Sequence, residues 1–331
     1  MTAYDPVSVV MPALGNTKLL DANLPLLFAE FESRAVGDEL VLVDDTGRGD
    51  LEEWAKDALA DRPARLVVRK ENGGFAAAME DGIRQAANDQ IFSMNSDVKV
   101  LPGFLEPLQD ALARPFATEV ADRVFAVAPR VLLNGNEGEI ESFARSQLLS
   151  GLLTNRENLP RDETLRLPED TTPISFAIGG TFLFRRVDFI KLGGFDELFA
   201  PFYFEDNDLC WRAWRQGLCS LYVPSSVVEH YHKGTIGGLL SPERRRAAVE
   251  RGELLFNWKH LDDEDLKDHV ALLYRRTIDA WLMDDREALI WLQLALDSLT
   301  EACSKRAKLA NSPSVASTRQ IQAELERFSG R

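Results

Sequence analysis

The first hundred residues alternate short apolar runs with longer amphipathic stretches, and this alternation constrains the fold more than any other feature. The apolar runs are four or five residues long and rich in β-branched side chains, which is typical of strands buried on both faces of a sheet. They lie at residues 7–11 (ending at Pro12), 39–43, 65–68 and 90–94, and the stretches between them predict helices at 19–34, 51–60 and 76–87. This order predicts an α/β class: a doubly wound, mostly parallel sheet flanked by helices.

The rest of the chain has a weaker pattern. Segments 125–129 and 176–184 predict further strands, whereas 134–173 is polar, contains several prolines and suggests an insertion or mobile loop over the site. A helix at 206–216 and short strands at 221–224 and 227–228 follow, and beyond 242 the periodicity is helical, weakening after 305. We therefore predict a domain at 1–240 and a helical C-terminal extension at 241–331.

Composition excludes some partners. The 331 residues carry a net charge of −15, with a sequence pI of about 4.8, which disfavours nonspecific binding to nucleic acid or anionic lipid. The three cysteines have no metal-ligand spacing, and the first residues have neither a basic nor an apolar character typical of a signal peptide. We expect a cytoplasmic protein. Association with the inner face of a membrane and homo-oligomerisation stay open.

Polar side chains follow three of the predicted strands. Asp44, Asn72 and Asp97 all fall beyond the carboxyl ends of strands, where ligands bind in sheets of this kind. A group of acids at a sheet edge suits a divalent cation that carries phosphate, with one carboxylate left as a base. A turn-forming role for Asp44 or Asp97, and a plain turn at Gly73-Gly74, are the structural alternatives.

A second acidic cluster follows a run of glycine and aromatic residues at 193–203. Glu205 and Asp206 lie at the start of the predicted helix at 206–216. Acids at a helix N-terminus often serve as caps that interact with the helix dipole. A cap role and a chemical role are both open for this pair, and Asp208 fits a cap.

Taken in order, these segments resemble the inverting family-2 glycosyltransferases of the GT-A fold, including rhamnosyltransferase-like bacterial members. The resemblance extends from residue 7 to about 235. It is carried by Val-Val-Met-Pro (9–12), Leu-Val-Asp-Asp (42–45), Glu-Asn-Gly-Gly-Phe-Ala-Ala-Ala (71–78), Met-Asn-Ser-Asp (94–97), Gly-Gly-Thr-Phe-Leu-Phe-Arg-Arg (179–186), Gly-Gly-Phe-Asp-Glu (193–197) and Phe-Glu-Asp-Asn-Asp-Leu-Cys-Trp-Arg (204–212). Each motif alone is weak, but their order and spacing are specific.

The resemblance implies a nucleotide-sugar site and a metal site. It assigns donor binding to Pro12, Asp44, Asn72, Gly73, Asn95, Ser96, Gly180 and Thr181. It assigns Mg²⁺ or Mn²⁺ to Asp97 and His230, with His232 and Lys233 as alternative phosphate contacts. The family motif is often Asp-X-Asp, and Asn95 stands at its first position here. An amide oxygen coordinates without adding charge, so this departure puts full metal affinity in doubt.

The resemblance also implies the chemistry. Asp206 matches the family's catalytic base, which removes the acceptor hydroxyl's proton, and Glu205 would orient the acceptor or the base. We expect an enzyme, an inverting hexosyl-type glycosyltransferase, that moves a sugar from a nucleoside diphosphate-sugar to a glycan or lipid-linked acceptor.

Three alternatives stay open at this point. A catalytically degenerate relative would bind sugar nucleotide or glycan without turnover. A nucleotidyltransferase is weakened by the absence of a glycine-rich basic loop after the first strand. A dinucleotide oxidoreductase is weaker still, because no G-x-G-x-x-G motif follows that strand.

Overall fold

A large sheet with helices on both faces forms the core of the protein. The computed structural model describes residues 4–156, 168–231, 241–285, 287–312 and 316–328. The strands are β1 (Val7–Ala13), β2 (Glu39–Asp44), β3 (Ala64–Val68), β4 (Gln90–Met94), β5 (Val98–Val100), β6 (Arg123–Leu133), β7 (Asn136–Ile140), β8 (Arg145–Leu149), β9 (Leu152–Arg156), β10 (Thr172–Ile174), β11 (Thr181–Arg185) and β12 (Leu218–His230). The helices are α1 (Thr17–Arg34), α2 (Glu52–Ala58), α3 (Gly74–Gln85), α4 (Leu105–Ala113), α5 (Arg186–Leu192), α6 (Glu205–Arg215), α7 (Pro242–His260), α8 (Asp263–Leu282), α9 (Glu287–Asp297), α10 (Leu299–Ala310) and α11 (Thr318–Arg327).

The main sheet runs in the order β10-β12-β6-β11-β4-β1-β2-β3. Strand β1 is parallel to β2 and β4, β2 is parallel to β3, and β6 is parallel to β12, whereas β11 is antiparallel to both its neighbours. Alternate residues of β1 enter opposite layers: Val9 and Met11 join one hydrophobic core, and Val10 joins the other. The predicted fold class, a mostly parallel sheet between helices, is confirmed.

The strand order reverses next to β1. The chain builds outward through β2 and β3 and then returns to place β4 on the other side of β1. In open α/β sheets a reversal of this kind leaves a crevice at the carboxyl ends of the two central strands. Residues 13–16 after β1 and 95–97 after β4 border this crevice.

Several predicted boundaries were wrong. Strand β1 continues through Pro12, which pairs with Val43, because the pairing of β1 with β4 ends at Val10 and the missing N–H of Pro12 interrupts no bond on that side. The two short strands predicted near 221 and 227 are one strand, β12, with an irregularity between Val223 and Val227.

The polar segment 134–173 is more regular than the sequence suggests. It contains β7, the β8–β9 hairpin and β10, while residues 157–167 lie outside the described part of the chain. The hairpin packs against the C-terminal helices: Leu153 exchanges backbone hydrogen bonds with the Asn257 amide, at 2.7 and 2.9 Å. The hairpin strands carry polar residues, among them the buried Arg145 and Ser146, and this made the segment resemble a loop. Its closure over the donor stays a prediction.

The C-terminal helices pack directly on α6. Arg215 donates to the carbonyl oxygen of His260 at 3.2 Å, and Trp211 Nε1 donates to Thr318 Oγ1 at 3.4 Å. Residues 318–327 form α11, with a reciprocal cap between Ser317 and Gln320, although the helical periodicity of the sequence is weak after 305. The domain boundary at 240 stays a prediction. Within the described residues, we find no helix with the length and apolarity needed to cross a bilayer.

Candidate active site

Residues 95–97, which follow β4, are hydrogen-bonded to the segment before β11 and to α1. The backbone N–H of Asn95 donates to the carbonyl oxygen of Gly180 at 2.9 Å, and the Asn23 amide donates to the carbonyl oxygen of Ser96 at 2.9 Å. A Cβ atom at Gly180 would lie 2.2 Å from Asn95 Nδ2, so glycine is required for this close approach. Sequence reasoning missed buried Asn23, whose amide on a largely apolar helix face was its only signal.

Asp97 and His230 meet although 133 positions separate them. The distance from His230 Nε2 to Asp97 Oδ1 is 3.1 Å, and His230 Nδ1 lies 2.5 Å from Glu141 Oε2. Burial lowers the pKa of His230, but its hydrogen bonds to Asp97 and Glu141 and their charges outweigh burial and raise the pKa to about 10. The predicted pair is therefore brought together, and Glu141 is a third member that the sequence did not indicate. His232 and Lys233 lie outside the described residues.

Asp97 Oδ1 and, once the ring has lost a proton, His230 Nε2 are donor atoms that suit a divalent ion. Neighbouring ligands of an octahedral ion with bonds of about 2.1 Å are about 3 Å apart, close to the observed 3.1 Å between Asp97 Oδ1 and His230 Nε2. Glu141 contacts the other ring nitrogen, as the carboxylates that orient metal-binding histidines do. No cluster of three or more His, Cys, Asp or Glu side chains in the described ranges could hold a metal ion. Further ligands would have to come from a bound phosphate, from water or from residues outside the described ranges.

The acidic pair begins α6 after a strained turn. Tyr203 and Phe204 have φ angles of 76° and 75°, a left-handed conformation that is costly for aromatic residues and is often found at functional sites. Asp206 Oδ2 accepts the Gly179 N–H at 2.7 Å, and Oδ1 accepts the Asn207 N–H at 2.8 Å. Burial raises the pKa of Asp206 despite these bonds.

Glu205 is the more deeply buried acid of the pair. Its Oε2 atom has no hydrogen-bond partner in the part of the chain that the structure describes. Burial, and then the charge of Asp206, raise the pKa of Glu205 to about 8. At neutral pH Glu205 is therefore largely protonated.

The turns that follow β2 and β3, where nucleotide binding was predicted, are held by hydrogen bonds to Asp44 and Asp45. Asp44 accepts hydrogen bonds from Thr46 and from the backbone N–H of Leu51, which is the turn role left open by the sequence. Asp45, which no prediction included, accepts the N–H groups of Gly73 and Gly74 at 2.9 and 3.0 Å. The N–H group of Gly73, a predicted donor-binding residue, therefore donates to Asp45 in this structure.

The structure also places three other predicted donor-binding residues. Asn72 donates its amide to the carbonyl oxygen of Asp45 at 2.9 Å. Half-buried Pro12 lies near the end of β1, and buried Thr181 begins β11, its Oγ1 lacking a hydrogen-bond partner among the described residues. Donor binding by these residues stays a prediction.

Asp208 is the centre of a buried ionic network, in addition to its place in the first turn of α6. It accepts hydrogen bonds from Arg212 Nε at 2.7 Å and from Lys259, and lies 2.8 Å from His260 Nε2. Lys259 also donates to Asp196 at 2.6 Å. The network joins the segment containing Asp196 to helix α6 and the C-terminal helix α7. No pattern in the sequence indicated this network.

These features define a GT-A fold with a two-part polar site at the switch point. Residues 8–193 match the model of glycosyl transferase family 2, and residues 165–233 match a second model, described as the N-terminal domain of galactosyltransferase. The first match covers more than half of the chain. The chain belongs to glycosyl transferase family 2, and the recognition made from its motifs is confirmed.

Several curated proteins resemble the chain. It is 28% identical over 213 residues to an N-acetylglucosaminyl-diphospho-decaprenol L-rhamnosyltransferase of Mycobacterium tuberculosis, covering 58% of this chain and 66% of the relative. It is 23% identical over 248 residues to a chondroitin synthase of Escherichia coli, covering 68% of this chain and 34% of the relative. A pre-mycofactocin glycosyltransferase of Mycobacterium tuberculosis is 31% identical over 160 residues, 48% of this chain and 30% of the relative. The chain thus spans about a third of the latter two relatives.

Solved structures share the fold. GalNAc-T7 with UDP, GalNAc and Mn²⁺ superposes with a TM-score of 0.58 at 19% identity, covering 80% of this chain and 49% of that one. The mannosyltransferase PcManGT from Pyrobaculum calidifontis, in complex with GDP-Man and Mn²⁺, has a TM-score of 0.51 at 18% identity, covering 99% and 86%. At these identities the likeness establishes the GT-A fold alone.

Proposed function

We propose that this chain transfers a sugar from a nucleoside diphosphate-sugar to a hydroxyl group on a glycan or lipid-linked acceptor, with inversion and with the help of Mg²⁺ or Mn²⁺. Family membership supports sugar transfer in general. Structures of the same fold contain UDP with Mn²⁺ or GDP-mannose with Mn²⁺, which supports a nucleotide donor and a metal ion.

One observation carries the proposal: Gly179 and Gly180 join the two halves of the site. The N–H of Gly179 donates to Asp206, and the carbonyl oxygen of the next residue, Gly180, accepts the N–H of Asn95. The candidate base and the motif that begins at Asn95 therefore border one short backbone segment. A donor held at Asn95–Asp97 would present its sugar next to Asp206.

In the proposed reaction, ionised Asp206 accepts the proton of the acceptor hydroxyl as the oxygen attacks the anomeric carbon. The bond from that carbon to the diphosphate breaks on the opposite face, so configuration inverts. Asp97 and His230 would hold the metal ion, and Glu141 would orient His230. When bound, the ion would neutralise charge on the departing diphosphate.

Of the alternatives raised by the sequence, one loses its support and one is still favoured by an observation. Membership of glycosyl transferase family 2 removes the support for a nucleotidyltransferase. A degenerate protein that binds without turnover is favoured by a single observation, the amide of Asn95 at a position where the family motif often has a carboxylate. A measurement of turnover distinguishes it from an enzyme.

Donor binding is tested by thermal unfolding with nucleoside diphosphates and their sugars, with and without Mn²⁺. A ligand present at about 100 times its dissociation constant should raise the melting temperature by several degrees, roughly 3–6 °C. We expect one base to give this shift in a Mn²⁺-dependent way, and Asp97→Asn to abolish it. Asp57→Asn, an exposed change on α2, is the matched control.

Turnover is tested by release of nucleoside diphosphate from the donor that binds. Release by the wild type and its loss in Asp206→Asn would support the enzyme. No shift with any nucleotide at millimolar concentration would contradict the donor site, whereas binding without release in the presence of glycan and polyprenyl acceptors would favour the degenerate alternative.

A further inference from the structure

The aromatic ring of Phe75 lies beside the candidate base. Phe75 is half-buried and belongs to the first turn of α3, which follows the carboxyl end of β3. The position that a Cβ atom of Gly179 would occupy is 3.0 Å from Phe75 Cε1 and 3.4 Å from Asp206 Oδ2. The ring and the carboxylate therefore border the same point, and they meet there because residue 179 has no side chain. Neither the sequence motifs nor the proposed reaction gives Phe75 a role.

The orientation of the Phe75 ring is fixed by the core of the protein. The ring meets that of Phe195 edge to face, with the centroids 6.0 Å apart and the planes at 64°. It also packs against the hydrophobic core on the α3 side of the sheet. These contacts cover part of the ring and restrict its rotation, while the residue stays half-buried. The uncovered part is a fixed apolar surface next to the base.

The segments that adjoin the base carry further apolar side chains. Half-buried Ile178 directly precedes the residue whose N–H binds the base, and half-buried Phe202 lies four residues before the base. The turn that contains Phe202 also packs on the start of α3, because the carbonyl oxygen of Pro201 approaches Gly74 too closely to leave room for a Cβ atom. Three segments with apolar side chains thus converge where the acceptor hydroxyl must arrive.

This environment suits a sugar ring better than a charged group. One face of a pyranose presents C–H groups, which pack on the electron-rich face of an aromatic ring, while its hydroxyl groups project toward polar partners. A ring stacked on Phe75 would direct a hydroxyl toward Asp206. Phosphate or carboxylate would require a cation, and the burial that raises the pKa of Asp206 disfavours a second anion beside it.

We infer that Phe75 forms the acceptor subsite, on which the terminal pyranose ring of the acceptor stacks while one of its hydroxyl groups reaches Asp206. The inference rests on the proposed function and narrows it: the group that receives the sugar is itself a sugar, not a peptide hydroxyl or a polyprenyl phosphate. Phe75 binds and orients this ring, and Asp206 takes the proton.

Ligand-observed saturation-transfer NMR tests the subsite without requiring turnover. The probes are methyl pyranosides of glucose, galactose, mannose, N-acetylglucosamine and rhamnose, added with Mg²⁺ and UDP or GDP. The wild type should bind at least one of them, with the strongest saturation on its C–H face. Phe75→Leu should weaken this binding about three- to tenfold, and Phe75→Tyr, which retains the ring, should recover most of it. Phe116→Leu, the same exchange at a half-buried position beside Phe328, is the matched control and should have no effect.

Turnover separates this inference from the proposed function. With the pyranoside that binds, Phe75→Leu should raise the acceptor KM about three- to tenfold and leave donor affinity unchanged. Pyranoside binding without release of nucleoside diphosphate would contradict the proposed function but support the subsite. Absence of pyranoside binding, or binding that Phe75→Leu and Phe116→Leu alter equally, would overturn the subsite. So would faster transfer to a threonine peptide or a polyprenyl phosphate than to every pyranoside.

Discussion

Gly179 donates its backbone N–H to Asp206 Oδ2 over 2.7 Å, and this bond links the start of α6 to the loop before β11. It holds one carboxylate oxygen, while the Asn207 N–H holds the other. Both donors favour the ionised form of Asp206, against the burial that raises its pKa. The two N–H groups thus orient the carboxylate that we propose as the base.

Replacing Asp206 by asparagine should therefore remove basicity while largely preserving shape. We expect turnover to fall by about 10²–10⁴-fold, the usual contribution of a general base, with donor affinity changed only a few-fold. Steady-state rates and nucleotide titrations measure the two effects separately. Glu197→Gln, at an exposed acid nearby, is the control and should retain activity. Equal loss of donor binding in Asp206→Asn would contradict a role confined to the base.

The buried pair should also make stability depend on pH. Glu205 has a folded-state pKa of about 8 against 4.5 for an exposed glutamate, so the folded state binds the proton more tightly. Its stability is then greatest below about pH 4.5 and is lost as pH rises toward 8. Glu205→Gln cannot ionise and should escape this loss.

Urea unfolding of both proteins between pH 5.5 and 8.5 measures that difference. The free energy of unfolding of the wild type should fall relative to Glu205→Gln by up to about 1.4 kcal/mol per pH unit. A difference that does not vary with pH would show that Glu205 titrates normally.

The sequence predicted those elements and residues that are marked by a local pattern, such as an apolar run or a motif. Strands β1, β2 and β4 are apolar runs bounded by polar residues. The family resemblance assigned Asp97 and His230 to one metal site, and their side chains lie 3.1 Å apart. Glu141 left no such signal, because it reaches His230 across 89 positions and lies in a segment that resembles a loop. The contact between Asp208 and Lys259 spans 51 positions in the same way. Contacts of this kind depend on how complete elements pack, which periodicity and local motifs do not specify.

Lys259 and Lys305 allow the energetic value of the buried network to be measured. Both pair with Asp196, at 2.6 and 2.7 Å, but the Lys259 side chain is 2% exposed and that of Lys305 is 30% exposed. Lys259→Met leaves two buried carboxylates, Asp196 and Asp208, without this cation. It should lower the free energy of unfolding by about 3–5 kcal/mol.

Lys305→Met is the matched control and should cost about 1 kcal/mol or less, because solvent screens the more exposed pair. Chemical denaturation at pH 7 measures both. Similar losses for the two variants would contradict the assignment of the network's stabilisation to burial.

The contact between Gly180 and Asn95 gives a prediction that separates steric from chemical effects. In Gly180→Ala the new Cβ would lie 2.2 Å from Asn95 Nδ2 and 2.3 Å from its Cγ, so the amide must rotate away from its position. We expect a loss of about 1–3 kcal/mol of stability from overpacking, together with weaker donor binding.

Adding Asn95→Ala removes the obstructing atoms and should restore most of the stability but not the donor affinity, since the amide is then absent. Thermal unfolding and nucleotide titration of the four proteins in this cycle measure the coupling between the two positions. Additive losses in stability would contradict the direct contact, and recovery of donor binding in the double variant would show that the Asn95 amide does not contribute to the donor site.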